Sequence, residues 1–327
     1  MERIKSFEED LYRLNEDGFN DIALRLFKYQ SEANPVYNQY LTQIGCPEIN
    51  AVGEIPFLPI SFFKTQDVRS GSWIPETTFT SSSTTGTGTS QHKIRDLSFY
   101  LEHSRRIFEN NFGLLSEMHF LALLPSYLDR KGSSLVAMAE HFIKATGSPH
   151  SGFFLRDEEK LVGLLQKICN GKSKVVLLGV TFALLDLAER LPMDLSNCLV
   201  IETGGMKGRR REMTRTEVHS ILCSRFNTNL IFSEYGMTEL LSQAWSKGNG
   251  RFWAPNCMEI RIRDLNDPFL PVTNGQTGGI NIIDLANMDT CAFIETEDLG
   301  RIHQDGSFEV LGRVDNSDVR GCNLLVE

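Results

Sequence analysis

The sequence predicts an α/β fold, a parallel or mixed sheet with crossover helices followed by a β-rich C-terminal lobe. Three observations predict it. Between about residues 120 and 245, short apolar runs alternate with amphipathic stretches at the spacing of strand–helix units. From about Met258 the runs become short, alternating in polarity and divided by turn residues. The length of 327 residues, 41% hydrophobic and 23% charged, suits one large globular domain or two ordinary ones.

In chain order, residues 1 to about 32 read as helical, because Phe7, Leu11 and Leu14, then Ile22, Leu26 and Phe27, recur at three- and four-residue spacing. The prolines of Ile55-Pro-Phe-Leu-Pro-Ile-Ser-Phe-Phe-Lys64 disfavour a regular helix and predict an extended apolar ribbon. Leu97 to Phe112 reads as a helix. The alternation then predicts strands at Phe120–Leu124, Val175–Val180, Leu199–Glu202 and Leu230–Ser233. Helices are predicted at Leu135–Ile143, Phe182–Leu191, Glu212–Phe226 and Thr238–Trp245. In the tail, Glu259–Arg263, Gly279–Ile283 and Cys291–Glu295 read as strands. Asp305-Gly306 reads as a hairpin turn between Gly300–His303 and Ser307–Leu311. This divides the chain into a helical segment (1–50), an α/β core (51–257) and a β-rich lobe with a cysteine-bearing tail (258–327).

Composition excludes several classes. The net charge is −9 with no long basic run, which argues against nucleic-acid binding. No stretch approaches the roughly 18 apolar residues of a membrane span, and the start lacks the apolar centre of a signal peptide. Seven cysteines, without a Cys-x-x-Cys pair, argue against a disulfide framework or structural zinc and for a reducing cytoplasm. The sequence leaves the oligomeric state open.

The most informative stretch is Phe79 to Ser90, a run of serines and threonines with Gly86 and Gly88. Small side chains let backbone N–H groups approach an anion, and hydroxyls add rotatable donors. It has neither Walker nor Gly-x-Gly-x-x-Gly spacing. Taken alone it reads equally as an anion cradle or a flexible polar linker. Open α/β sheets bind ligands at the carboxyl ends of their strands. Further clusters fall at such ends or in loops: Glu202-Thr203-Gly204-Gly205-Met206-Lys207, Ser233-Glu234-Tyr235-Gly236-Met237-Thr238-Glu239, Glu295-Thr296-Glu297-Asp298-Leu299-Gly300 and Gly312-Arg313-Val314-Asp315. Each has a plain structural alternative. Tyr235 can be a strand-end aromatic, Thr238 a helix N-cap with Glu239 in the first turn, and Asp298–Arg313 a surface pair. Lys207 to Arg211 can be a solvated basic face, and His119 and His141 packed side chains.

In this order the clusters resemble the adenylate-forming superfamily of acyl and aryl ligases. They are most similar to its acyl-protein synthetase (LuxE-type) family, fatty acid–protein ligases. The ribbon Ile55–Lys64, Gly179–Leu185 and Gly312–Cys322 carry the likeness further, from about residue 50 to the end. The resemblance implies the large N-terminal domain of these enzymes, without their usual small C-terminal domain. It implies ATP and Mg²⁺, and activation of a fatty or other carboxylic acid as acyl-AMP. Ser81, Ser82, Ser83, Thr84, Thr85 and Gly86 would grip the β- and γ-phosphates, and Thr238 the α-phosphate. Glu239 would hold Mg²⁺, a hard cation suited to carboxylate and phosphate oxygens. Tyr235 would stack on adenine, with Gly204, Gly205, Gly236 and Met237 beside it, and Asp298 and Arg313 would hold the ribose. Cys322, beside Arg320, would receive the acyl group as a thioester and pass it to an acyl reductase partner. The chain departs from the family pattern at Ser83, at Gly88-Thr89 and at Glu297. An acyl- or aryl-CoA ligase relative and a nucleotide-binding subunit without catalysis are the alternative readings.

Overall fold

The computed structural model describes residues 2–14, 18–81, 88–125, 132–204, 211, 213–273 and 275–313. The helical segment holds α1 (Glu2–Tyr12), α2 (Phe19–Ala33) and α3 (Pro35–Gln43). The apolar periodicity of residues 1–32 does not reach α3. Asn34 starts it, because its side chain accepts from the Val36 and Tyr37 amides, each at 3.1 Å, and Pro35 sits in the first turn. The proline ribbon is extended only as far as β1 (Leu58–Pro59). Beyond its last proline the chain turns into the short helix α4 (Phe62–Thr65), which corrects the extended reading there.

Next come β2 (Thr77–Thr80) and β3 (Gln91–Ile94), an antiparallel pair separate from the main sheet. Then follow α5 (Leu97–Phe112), β4 (Met118–Leu123), α6 (Ser134–Thr146), β5 (Gly152–Phe153) and α7 (Glu158–Ile168). The alternation continues with β6 (Lys174–Val180), α8 (Thr181–Arg190), β7 (Cys198–Thr203), α9 (Arg215–Arg225) and β8 (Phe232–Tyr235). The remainder is β9 (Ala244–Ser246), β10 (Arg251–Trp253), β11 (Met258–Arg263), β12 (Gly278–Asp284), β13 (Phe293–Ile302) and β14 (Phe308–Arg313).

The strand order in the main sheet is β11-β12-β13-β14-β10-β9-β8-β7-β6-β4-β5, with β1 beside β13. Strands β4 to β8 pair in parallel, and β9 to β14 pair antiparallel, so the sheet is mixed. Right-handed crossovers put α8 and α9 on one face and α6 on the other, where α6 packs against α5 and β4. Phe108 of α5 fills that face, with ring centroids 5.3 Å from Trp245, 5.0 Å from Phe142 and 5.8 Å from Phe120. Among the described residues, no helix is long and apolar enough to cross a membrane.

One expected helix is absent. Residues 238–245 form a turn that leads into β9, and β9 pairs antiparallel with β8 and β10. The buried Asp284 carboxylate takes the Leu241 and Ser242 amides at 2.9 and 3.0 Å and the Ser242 hydroxyl at 2.6 Å. Those amides are thereby withdrawn from helical hydrogen bonding, and the ladder buries Trp245 completely. Tertiary bonding outweighs the weak helical preference of the segment.

Candidate functional site

The site lies where β7 and β8 end side by side, with Thr203 opposite Glu234. Strand β7 runs into Gly204, whose φ of 72° turns the chain through the left-handed region. The hydroxyl-rich stretch connects β2 to β3 in sequence. The base of the β2–β3 hairpin is closed by the Ser81 amide donating to the Ser90 carbonyl (3.1 Å) and the Ser90 amide donating to the Ser81 hydroxyl (2.9 Å). Ser82, Ser83, Thr84, Thr85 and Gly86 lie outside the described residues, as do Gly205 to Arg210 and the tail with Cys322.

Three residues far apart in sequence meet across β8, β13 and β14. The Tyr235 hydroxyl donates to the Asp298 carboxylate at 2.8 Å. Arg313, opposite Asp298 in the β13–β14 ladder, approaches its other oxygen at 3.5 Å. Asp298 is 8% exposed, whereas the Arg313 side chain is 79% exposed, so this is not a surface ion pair on the Asp298 side. Burial pushes the Asp298 carboxyl up, while Arg313 and the Tyr235 hydroxyl pull it back. Burial, then the Asp298 charge, keeps Tyr235 protonated and therefore a firm donor. The Tyr235 ring packs near Phe252 and Phe308.

Thr238 and Glu239 sit in the turn after β8, not at a helix start. Glu239 is buried, and the Ser90 side chain at the base of the hairpin acts on its carboxyl. Burial raises its pKa, and Ser90, Arg313 and Lys64 act in the opposite sense. The backbone of this turn is held by residues that sequence reasoning missed. His92 Nδ1 lies 2.8 Å from the Thr238 carbonyl and Nε2 lies 3.0 Å from Thr290 Oγ1. A carbonyl only accepts, so Nδ1 carries the proton and Nε2 accepts from Thr290. Burial depresses the His92 pKa to about 4, against the pull of the Thr238 carbonyl, so the ring is neutral at pH 7. Asn287 Nδ2 donates to the Glu239 carbonyl at 2.8 Å.

The loop bearing Asn287 and Thr290 is in turn anchored by the N-terminal segment and by Ser70. Gln30 of α2 donates to the Asn287 carbonyl (2.8 Å) and accepts from the Ala292 amide (2.9 Å). Asn34 and Ser70 both donate to the Thr290 carbonyl, at 2.9 and 2.5 Å. Residues near positions 30, 90, 240 and 290 thus form one buried polar network. His92 has no motif around it. The only sequence signal is its place in a short strand where His92 and Ile94 share the buried face.

Two further carboxylates stand at the strand ends. Buried Glu202 accepts from Thr181 (2.8 Å) and Arg215 (3.1 Å), and lies 3.6 Å from His219. Burial works to raise its pKa, yet His219, Arg215, Ser233 and Thr181 hold it below the ordinary value. Glu234 is half-buried and accepts from Thr203 Oγ1 at 2.5 Å. Burial pushes it up to about 7, with the Thr203 bond opposing and the Glu202 charge adding. A Cβ on Gly236 would lie 2.2 Å from Glu234 Oε1, so glycine lets this carboxylate lie against the turn in its present position. Met237 packs against the core beside it.

Among the described residues, no group of three or more His, Cys, Asp or Glu side chains could hold a metal ion. The donor set suits Mg²⁺ held by one carboxylate, Glu239, with phosphate oxygens completing its shell. The described cysteines are free thiols. Burial raises Cys46 and Cys223, and pushes Cys257 and Cys291 up to about 12.

No protein-family model matches the chain, and no curated protein matches it in sequence. Solved structures match its fold. ATP-bound MatB from Rhodopseudomonas palustris is 18% identical with a TM-score of 0.53, over 72% of this chain and 47% of that one. O-succinylbenzoate coenzyme A synthetase (MenE) from Bacillus subtilis, in complex with AMP, is 17% identical with a TM-score of 0.53, over 75% and 50%. The luciferase-like enzyme from the nonluminescent mealworm Zophobas morio is 19% identical with a TM-score of 0.51, over 76% and 60%. The chain has the mixed α/β fold of the large N-terminal domain of adenylate-forming enzymes. It matches about half the length of MatB and MenE.

Proposed function

We propose that this protein activates a carboxylic acid with ATP and Mg²⁺ and transfers the acyl group to a protein cysteine. In the first step a carboxylate oxygen attacks the α-phosphorus and pyrophosphate leaves, giving acyl-AMP. In the second a thiolate attacks the acyl carbon and AMP leaves, giving a thioester. The observation that carries the reading is the meeting of Tyr235, Asp298 and Arg313 beside the Thr238–Glu239 turn, at the strand ends of a fold that MatB and MenE share. Tyr235 flanks adenine, and Asp298 accepts from the ribose hydroxyls with Arg313 alongside. Thr238 donates to the α-phosphate, and the serines and threonines between β2 and β3 hold the β- and γ-phosphates. Glu239 would hold Mg²⁺, which when bound neutralises phosphate charge.

Resemblance to acyl-protein synthetases supports a fatty acid as the acid, Cys322 as the acceptor and an acyl reductase as the partner. The raised pKa values of Cys46, Cys223, Cys257 and Cys291 disfavour those thiols as nucleophiles. Unpaired cysteines suit a reducing compartment, and we place the protein in the cytoplasm. The test is pyrophosphate release with ATP, Mg²⁺ and a panel of carboxylic acids, for wild type and Asp298→Asn. The reading requires acid-dependent release that falls at least about tenfold in the variant, through loss of a charge-assisted bond. ATP binding without release for any acid would support a non-catalytic nucleotide-binding subunit instead. Acyl-CoA formation would support a CoA ligase.

A further inference from the structure

Along β8 the side chains alternate between the two faces of the sheet. Ser233 faces α9, where its hydroxyl lies 3.2 Å from His219 Nε2. Glu234 therefore faces the opposite side, toward α5, and its charge acts on the buried Tyr100 of that helix. Tyr100 packs edge-on against Phe79 at the foot of the hairpin, with centroids 5.0 Å apart. Glu234 thus lies on the α5 side of the sheet, where β8 ends beside β7 and runs through Tyr235 and Gly236 into the Thr238–Glu239 turn.

Among the described residues its partners are few for its charge. An ionised carboxylate has room for about four donors. Neighbouring Glu202 has a hydroxyl and a guanidinium, with an imidazole close by. Glu234 has the Thr203 hydroxyl on Oε2, and Oε1 has no hydrogen-bond partner among the described residues. Arg215 of α9, on the other face of the sheet, is committed to Glu202 and to the Val310 carbonyl. Oε1 lies close over Gly236, 2.2 Å from where a Cβ would stand. Glu234 is half-buried, and a carboxylate at a strand end with one hydroxyl donor keeps acceptor capacity open toward a ligand. Its upward shift, led by burial, agrees with partial shielding from water.

We propose that Glu234 is the specificity determinant of the acid subsite: Oε1 accepts a hydrogen bond from a hydroxyl or ammonium group carried by the carboxylic acid substrate. This rests on the acid-activating function proposed above and narrows its substrate class from plain fatty acids to acids bearing a donor. A site that hydrogen-bonds a substrate donor through a shielded acceptor disfavours the analogue that lacks the donor, because the acceptor then loses its partner.

The test uses matched acids, each aliphatic or aromatic acid with its hydroxy and amino counterparts, on wild type, Glu234→Gln and Glu234→Leu. Two quantities are read. One is kcat/KM for acid-dependent pyrophosphate release. The other is equilibrium binding of each acid in the presence of a non-hydrolysable ATP analogue, which needs no turnover. Wild type is expected to favour the donor-bearing member by roughly 10²-fold, and Leu to abolish or reverse that preference. Gln is expected to keep more of the hydroxyl preference than of the ammonium preference, because it accepts a hydrogen bond but carries no charge. If Leu does not fold, the hydroxyl-to-ammonium split of the Gln variant decides, and an unchanged split overturns the inference. Turnover with a preference that neither variant alters overturns the inference and leaves acid activation standing. Failure of folded wild type both to release pyrophosphate and to bind any acid overturns both.

Discussion

Replacing His92 with phenylalanine tests the buried network directly. Phenylalanine keeps a flat ring where His92 meets Phe63 edge-on at 5.6 Å, but it removes both bonds, at 2.8 Å to the Thr238 carbonyl and 3.0 Å to Thr290 Oγ1. Thr290 is 2% exposed, so water does not readily replace the lost partner. Each stranded buried group costs about 1–3 kcal/mol, for a total of roughly 2–6 kcal/mol at neutral pH. The pH dependence adds a second signature. His92 has a pKa near 6.5 when unfolded and about 4 when folded, so the unfolded chain binds more protons between those values. Wild-type stability is therefore lost as pH falls from 6.5 toward 4, by roughly 3 kcal/mol over the window. The phenylalanine variant has no such term, so its deficit narrows as pH falls. Urea unfolding at several pH values between 4 and 8 measures both. A deficit under about 1 kcal/mol at pH 7.5, or one that widens on acidification, would refute the neutral, doubly bonded His92.

Glu234→Gln should stabilise the protein at pH 8, because the native carboxyl titrates at about 7 against about 4.5 unfolded. The native state binds more protons in that window, so wild type loses stability as pH rises through it. The variant's advantage grows from pH 4.5 to 7, reaching up to about 3 kcal/mol, and thermal unfolding at pH 5 and 8 measures it. Gly236→Ala should cost about 0.5–1.5 kcal/mol in thermal unfolding, since its Cβ would sit 2.2 Å from Glu234 Oε1 and push that side chain off its rotamer. Adding Glu234→Ala should recover most of that loss, because it removes the obstructing carboxylate.

Much of the fold was legible because local and tertiary signals agree. Helix α5 has its expected bounds, with Asp96 capping the Phe99 amide at 2.9 Å and Gly113 at φ 100° just past its end. Strand β6 is a continuous apolar run, as parallel strands buried on both faces require. The β2–β3 hairpin was not legible, because Thr-Thr-Phe-Thr and Gln-His-Lys-Ile lack a clear apolar alternation. The helix expected at 238–245 was overridden by Asp284, more than forty residues away. At the site, Tyr235, Asp298 and Arg313 could be read from local motifs. His92 and Asn287 could not, since their roles exist only through contacts such as Gln30 with Asn287, 257 residues apart.

The most direct measurement is the intact mass of the protein after incubation with ATP, Mg²⁺ and donor-bearing or plain carboxylic acids, for wild type and Cys322→Ser. Acid activation with cysteine transfer predicts an ATP-dependent, acyl-sized, hydroxylamine-labile adduct on wild type that is absent from the serine variant. Wild type without any adduct, under conditions where it stays folded and binds ATP, would contradict it.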